Sequence, residues 1–358
     1  MQDYERYTKQ IHAAGVTLEE NKMNLPSLNT YQAEVKSVAT LKSDMEFLKT
    51  WASPLFADGL KPEYIGERMA ESFTKFEEES RPSLSALMLH AQDKLGLSDQ
   101  ETPEFNAAMM SALAADVPNT NGYHNNQHFL EVTSFAIRLF TTHNNLVSKG
   151  ELKEELLDEK DFGKLMLAAS GHDLLHDGLG NAPEGEHLSY RLEKQAAELV
   201  DEFAQLSGMS DQGRDDVRTM LLVTDVTGDP SPHSFLKEAA KFHLEGEDID
   251  FKKFPEELQG LSNRSSFLLS AIMSDADLAP SALTTPAYNQ RQTHKLSQEA
   301  GIAEGPETTK FFLENIVGGS MTSPSGQVYN SNIDNMLVDA NQKLAQKADN
   351  TPRKPKQN

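Results

Sequence analysis

An all-α fold is predicted by three features of this 358-residue chain. Apolar residues recur every three or four positions, the period of a helix with one buried face. There is no series of alternating apolar and polar residues joined by hairpin turns, as a β-protein would need. Helix breakers punctuate the chain at Pro26, Pro54, Pro82, Pro103, Pro118, Pro183, Pro230, Pro255 and Pro286, and the segments between them suit helices of ordinary length.

Residues 1–60 hold polar helical segments and read as an N-terminal helical extension, with Phe47, Leu48, Trp51 and Leu55 as its apolar face. A denser core pattern occupies residues 61–342. Within it, Phe129 to Phe140 and Leu165 to Ala169 predict buried helices, and ELKEELLDEKD at 151–161 reads as a solvated helix face. Leu188, Leu192, Ala196, Leu199 and Phe203 mark one buried helix face, followed by Val217, Leu221 and Leu222. The charged stretch 243–257 reads as a solvated loop or short helix, and Phe267, Leu268, Ala271 and Ile272 resume the core. Residues 343–358, ending KADNTPRKPKQN, are polar and Pro-containing and are expected to be a disordered tail. No internal repeat is found.

The chain carries 33 basic and 55 acidic residues, a net charge of −22. That excess argues against a general nucleic-acid binder and against docking on anionic lipid by a basic face. A local phosphate site stays open, because a metal ion outweighs distant surface charge. Cysteine is absent, which removes disulfides, zinc ribbons, thiol nucleophiles and iron–sulfur clusters. The N-terminus has no secretory pattern, and apolar runs such as Phe267 to Met273 fall far short of the about 20 residues needed to span a bilayer. A soluble cytoplasmic protein is expected.

Six of the eleven histidines fall between residues 124 and 187. His124 and His128, four apart, are expected to share a helix face. His172 and Asp173 are adjacent, His176 follows one turn on, and Asp275 and Asp277 end an apolar helix. Singly, each has a bland reading: a surface pair, a chance dipeptide, a helix cap. Together they place imidazoles and carboxylates at the edges of three apolar helices, a mixture that suits a first-row transition metal or Mg. Burying His172 and Asp173 without a partner would be costly, and a bound metal offsets that cost.

In this order the residues resemble the HD superfamily of metal-dependent phosphohydrolases, and more closely the catalytic domain of class I cyclic-nucleotide phosphodiesterases. YHNNQH at 123–128 resembles YHNxxH, and GHDLLHDG at 171–178 resembles HDxxHxG. PEGEHLS at 183–189 is similar to LENHHL, LLVTDVT at 221–227 to LATDM, and SDADLAPSAL at 274–283 to CADLSNPTK. TTKFFLENIVG at 308–318 is similar to SQVGFIDYIV. The resemblance spans roughly residues 60–340. Thr309 stands where the family has a purine-orienting Gln, whereas Phe312 keeps the base clamp. Asp177 stands where the family usually has Pro.

The resemblance implies a compact multi-helix domain with a deep metal pocket. His128, His172, Asp173 and Asp277 would hold a first ion, Zn²⁺ or another transition metal. Asp173 would also reach a second, Mg²⁺ or Mn²⁺. Such a pair activates a water for attack on phosphorus. His124 would be the general acid, with His176, Glu184, His187, Thr224 and Asp225 supporting the ions and their waters. Tyr123, Thr309 and Phe312 would line the substrate site. The implied reaction is hydrolysis of 3′,5′-cyclic nucleotides (cAMP, cGMP) to 5′-monophosphates, with a small-molecule nucleotide as partner. Alternatives are phosphohydrolysis of another nucleotide or small phosphate ester, an iron oxygenase on the same ligand set, and a non-catalytic interaction protein of the same fold. Oligomeric state and the role of residues 1–60 are not legible.

Overall fold

The computed structural model describes residues 2–20, 38–97, 102–181 and 188–349. Among them there are sixteen α-helices and no strand. The first five are α1 (Gln2–Glu20), α2 (Val38–Trp51), α3 (Ser53–Phe56), α4 (Pro62–Glu79) and α5 (Leu84–Lys94). There follow α6 (Pro103–Ala115), α7 (Asn126–Ser148), α8 (Glu159–Gly171), α9 (Arg191–Ser207), α10 (Asp211–Leu222) and α11 (Pro232–Ala240). The rest are α12 (Arg264–Ala282), α13 (Pro286–Ala300), α14 (Pro306–Phe311), α15 (Pro324–Gln327) and α16 (Asn330–Asp349). The all-α expectation holds.

Prolines start helices here as often as they end them. Pro54, Pro62, Pro103, Pro232, Pro286, Pro306 and Pro324 each sit in a first turn, where the missing N–H costs nothing. Several helices open on a capping side chain: Ser83, Thr102, Ser210, Ser231 and Thr285 each accept a backbone N–H of the first turn.

Two helices are buried on nearly every side and cross at the centre, α7 from Gln127 to His143 and α12 from Ser266 to Ala276. Around them α8 packs most extensively on α6. Glycine makes that approach possible, because a Cβ on Gly163 would lie 2.7 Å from the Phe105 backbone nitrogen. At the other end of α8, a Cβ on Gly171 would collide with Val200 of α9. Gly163→Ala is therefore expected to push α8 off α6 and destabilise the fold by about 1–3 kcal/mol, read as a fall in the denaturation midpoint.

The N-terminal helices complete the same core. Ile11, Leu18, Leu41, Leu48 and Trp51 belong to one apolar cluster with Phe135 and Ile272. The buried Arg138 of α7 donates to the Tyr329 hydroxyl and to the Ala57 carbonyl just past α3. That ties the extension to the central helix.

Three expectations change. The run 151–161 is not a solvated helix face: its first part is irregular, Leu157 is buried, and Asp158 caps α8 in a reciprocal pair with Asp161. Leu188 is 47% exposed and lies outside α9, because Tyr190 takes a left-handed conformation (φ 61°) and starts the helix only after it. The helix α16 continues to Asp349, seven residues into the expected tail, and there Lys347 pairs with Glu307 at 2.6 Å. Residues 350–358 lie outside the described residues. No helix among the described residues is long and apolar enough to cross a membrane.

Candidate active site

Four segments converge: the start of α7, the end of α8, the middle of α12 and the end of α13. His128 sits in the first turn of α7, His172 caps the C-terminus of α8, Asp173 follows it, and Asp277 projects from α12. The His128 and His172 Nε2 atoms are 3.2 Å apart. His128 Nε2 lies 3.3 Å from both Asp173 Oδ2 and Asp277 Oδ1. His172 Nε2 lies 3.1 Å and 3.5 Å from the same two oxygens.

This donor set fits a cation. Atoms that each bind one metal at about 2.0–2.2 Å stand about 3.0–3.5 Å from one another. The His172 Nδ1 lies 3.0 Å from the Ala169 carbonyl, which places that nitrogen's proton there and leaves Nε2 as a lone pair facing the cluster. His128 Nδ1 is buried without a hydrogen-bond partner. Burial pulls the His128 pKa down, but the two carboxylates outweigh it and hold it at about 9. Burial also opposes the Asp173 charge, yet the His172 and His124 rings beside it hold its carboxyl well below the usual range. The carboxylates thus draw positive charge into the cluster, a demand that a bound cation would meet. Asp173 and Asp277 keep 14% and 18% of their side-chain surface, so the cluster opens to solvent on one side.

His124 departs from expectation. It does not share a helix face with His128, because Asn125 is extended and caps α7, its side chain accepting from the Gln127 N–H at 2.9 Å. His124 lies in the bend before the helix, its ring centroid 5.4 Å from that of His128. Freed from the helix, the ring stacks on His176 at 3.6 Å and turns Nδ1 onto Glu299 in a short contact. Its Nε2 then points toward the cluster, 4.0 Å from Asp173 Oδ2.

Glu299, at the end of α13, has no counterpart in the sequence motifs. Its Oε2 accepts the backbone N–H groups of Tyr123 at 2.6 Å and His124 at 3.2 Å. Burial pushes its pKa up, but the His124 ring and these N–H donors outweigh that and hold it at about 2. His176 completes the wall, and burial drives its pKa to about 4, so it stays neutral. His124, His176 and Glu299 do not form a second metal site. Their stacked rings cannot both point in-plane at one ion, and His176 Nδ1 already accepts the Gly178 N–H at 3.1 Å.

The supporting residues have separate tasks. Asp225 is buried, accepting from the Tyr190 N–H at 3.1 Å and the Thr227 N–H at 2.8 Å. Thr224 donates to the Leu221 carbonyl at 2.7 Å. Glu193, which no motif marks, feels the charge of both Asp225 and Asp173. Burial and the Asp225 charge raise its pKa to about 8, and Asn181 donates to it at 3.1 Å. Asp177 grips Arg191 bidentately at 2.7 and 2.8 Å, fixing the loop that carries His176. Glu184 and His187 lie outside the described residues.

Tyr123 is buried, its ring 4.8 Å from those of His124 and His128, and burial pushes its hydroxyl pKa up. Thr309 donates to Asn289 Oδ1 at 2.9 Å and lines a crevice with Met336 and Asp339 of α16. Phe312 is half-buried against the main core, where the chain passes from α14 into a π-turn.

No family model and no curated protein matches the chain. Solved structures do. The phosphodiesterase domain of the rhodopsin phosphodiesterase of Salpingoeca rosetta is 18% identical at a TM-score of 0.52, over 86% of this chain and 97% of that one. LmjPDEB1 in complex with IBMX is 14% identical at 0.52, over 85% and 98%. Yeast caPDE2 in complex with IBMX is 13% identical at 0.53, over 96% and 80%. The chain has the fold of these phosphodiesterase domains.

Proposed function

We propose that this protein is a metal-dependent phosphodiester hydrolase acting on 3′,5′-cyclic nucleotides. One observation carries the reading: two imidazoles, each 3.1–3.5 Å from the same two carboxylates, with a carboxylate-fixed imidazole beside them, on a phosphodiesterase fold.

His128, His172, Asp173 and Asp277 would hold a transition ion such as Zn²⁺, the imidazoles favouring a softer metal. Asp173 would also face a harder second ion, Mg²⁺ or Mn²⁺. When bound, the ions supply positive charge for the phosphoryl oxygens and a water acidic enough to attack at neutral pH.

The protein's own groups handle the leaving oxygen. Glu299 holds His124 by Nδ1, so Nε2 is the atom free to carry a proton toward substrate. The Glu299 charge stabilises the imidazolium, and His124 gives that proton to the departing oxygen as the P–O bond breaks. His176, neutral and stacked, keeps the ring from swinging away.

Base recognition is weak in this scheme. The Thr309 proton is committed to Asn289, leaving apolar contact with Phe312 as the main grip on the base. Apolar contacts discriminate by only about 10–200-fold. The kcat/KM ratio for cyclic AMP and cyclic GMP is therefore expected to stay below about 200. A larger ratio would mean that another residue reads the base. The same commitment of Thr309 favours a second reading, hydrolysis of another small phosphate ester, which a panel of mono- and diesters would reveal by its preferred substrate.

A further inference from the structure

Helix α13 is docked on α7 by a buried polar ladder that ends on the proposed acid. Along one face of α13, Tyr288, Gln292, Lys295 and Glu299 follow at helical spacing. Facing them from α7 and the bend before it are Glu131, Gln127 and His124. Glu131 is buried and is the shared acceptor at the top of the ladder. It takes Gln127 Nε2 at 2.6 Å, Gln292 Nε2 at 2.8 Å to each oxygen, and the Tyr288 hydroxyl in a short contact. One rung down, Gln127 Nε2 donates to Tyr288 Oη at 2.8 Å, and its Oε1 accepts Lys295 Nζ at 2.7 Å. The last rung is Glu299 on His124.

We infer that Glu131, with Tyr288 and Gln292, is a positioning device for the acid: it fixes the register of α13 on α7 and thereby holds Glu299 against His124. Apolar packing alone tolerates sliding, whereas two directional donors of α13, Tyr288 and Gln292, converging on one buried acceptor of α7 do not. A slip of one residue moves a helix about 1.5 Å and turns it about 100°. Glu299 would leave the His124 ring, and the proton would be held in the wrong place. Both Glu131 oxygens accept here, so glutamine would set an amide NH₂ against the donors that now converge on them.

This inference rests on the acid role given to His124, so its test separates substrates by their need for an acid. Cyclic AMP leaves as an alkoxide and needs the proton. Bis(4-nitrophenyl) phosphate leaves as a stable phenolate and does not. In the full-length, metal-loaded protein, Glu131→Gln is expected to lower kcat on cyclic AMP about 10–100-fold, with KM and the nitrophenyl rate held within about threefold. Tyr288→Phe, which keeps the ring and removes one rung, is expected to show the same asymmetry more weakly and decides the matter if Glu131→Gln does not fold. Equal losses on both esters, or no loss on cyclic AMP, would overturn the inference while leaving the phosphodiesterase reading in place. A wild-type protein that cleaves neither ester overturns that reading, and this inference with it.

Discussion

Asp173→Ala is expected to strip the metal and abolish turnover together. Its Oδ2 lies against both cluster imidazoles, 3.1 Å from His172 Nε2 and 3.3 Å from His128 Nε2, and it faces His124 as well. Among the described residues no other carboxylate pairs with all three rings. Removing it leaves one carboxylate in place of two to balance the charge of an ion among the imidazoles, and nothing to share with a second ion. The loss in kcat should be about 10³-fold or more, since water without an activating ion is a poor nucleophile at neutral pH. Metal analysis of the purified variant, with circular dichroism to show retained helix, checks both halves.

His124→Ala is expected to separate chemistry from metal binding. The ring stands outside the four-donor set, its Nε2 4.0 Å from Asp173 and its Nδ1 on Glu299. The variant should keep its metal and lose about 10²–10⁴-fold in turnover, the usual worth of a general acid. His128→Ala should lose the metal itself. If His124→Ala also comes out metal-free, the roles of the two histidines are wrong. Glu299→Gln should fall between wild type and His124→Ala, and it carries a pH signature. A carboxyl held at about 2 rather than its ordinary 4.5 stabilises the fold above the ordinary value and loses that contribution as pH falls from 4.5 toward 2. The acid limb of the stability curve should therefore be shallower in Glu299→Gln.

The members of the His/Asp cluster were legible in the sequence because their chemistry is concentrated in short motifs. His128, His172, Asp173 and Asp277 each lie at the edge of an apolar helix, and the fold brings each imidazole Nε2 within 3.5 Å of both carboxylates. Their roles as ligands remain a reading of that geometry. The all-α architecture was legible for a similar reason, since the helical period is written along most of the chain. What escaped depends on contacts distant in sequence. Glu299 is an ordinary helical glutamate until the fold sets it against a histidine 175 positions away. Glu193 and the Glu131 ladder are invisible for the same reason. The position of His124 escaped through a local cause: spacing by four implies a shared helix face only if the helix has begun, and Asn125 delays it. Leu188 misled likewise, because periodicity does not show that Tyr190 turns left-handed before α9. Asp177, standing where the resembled family usually has Pro, proves to be half of a bidentate pair with Arg191.

Release of 5′-AMP from cyclic AMP by chelator-stripped protein, before and after divalent ions are restored, tests the central claim most directly. The account predicts no turnover in the stripped protein and recovery when Zn²⁺ together with Mg²⁺ or Mn²⁺ is returned. Hydrolysis that survives complete removal of metal, or its absence under every metal condition, would contradict it.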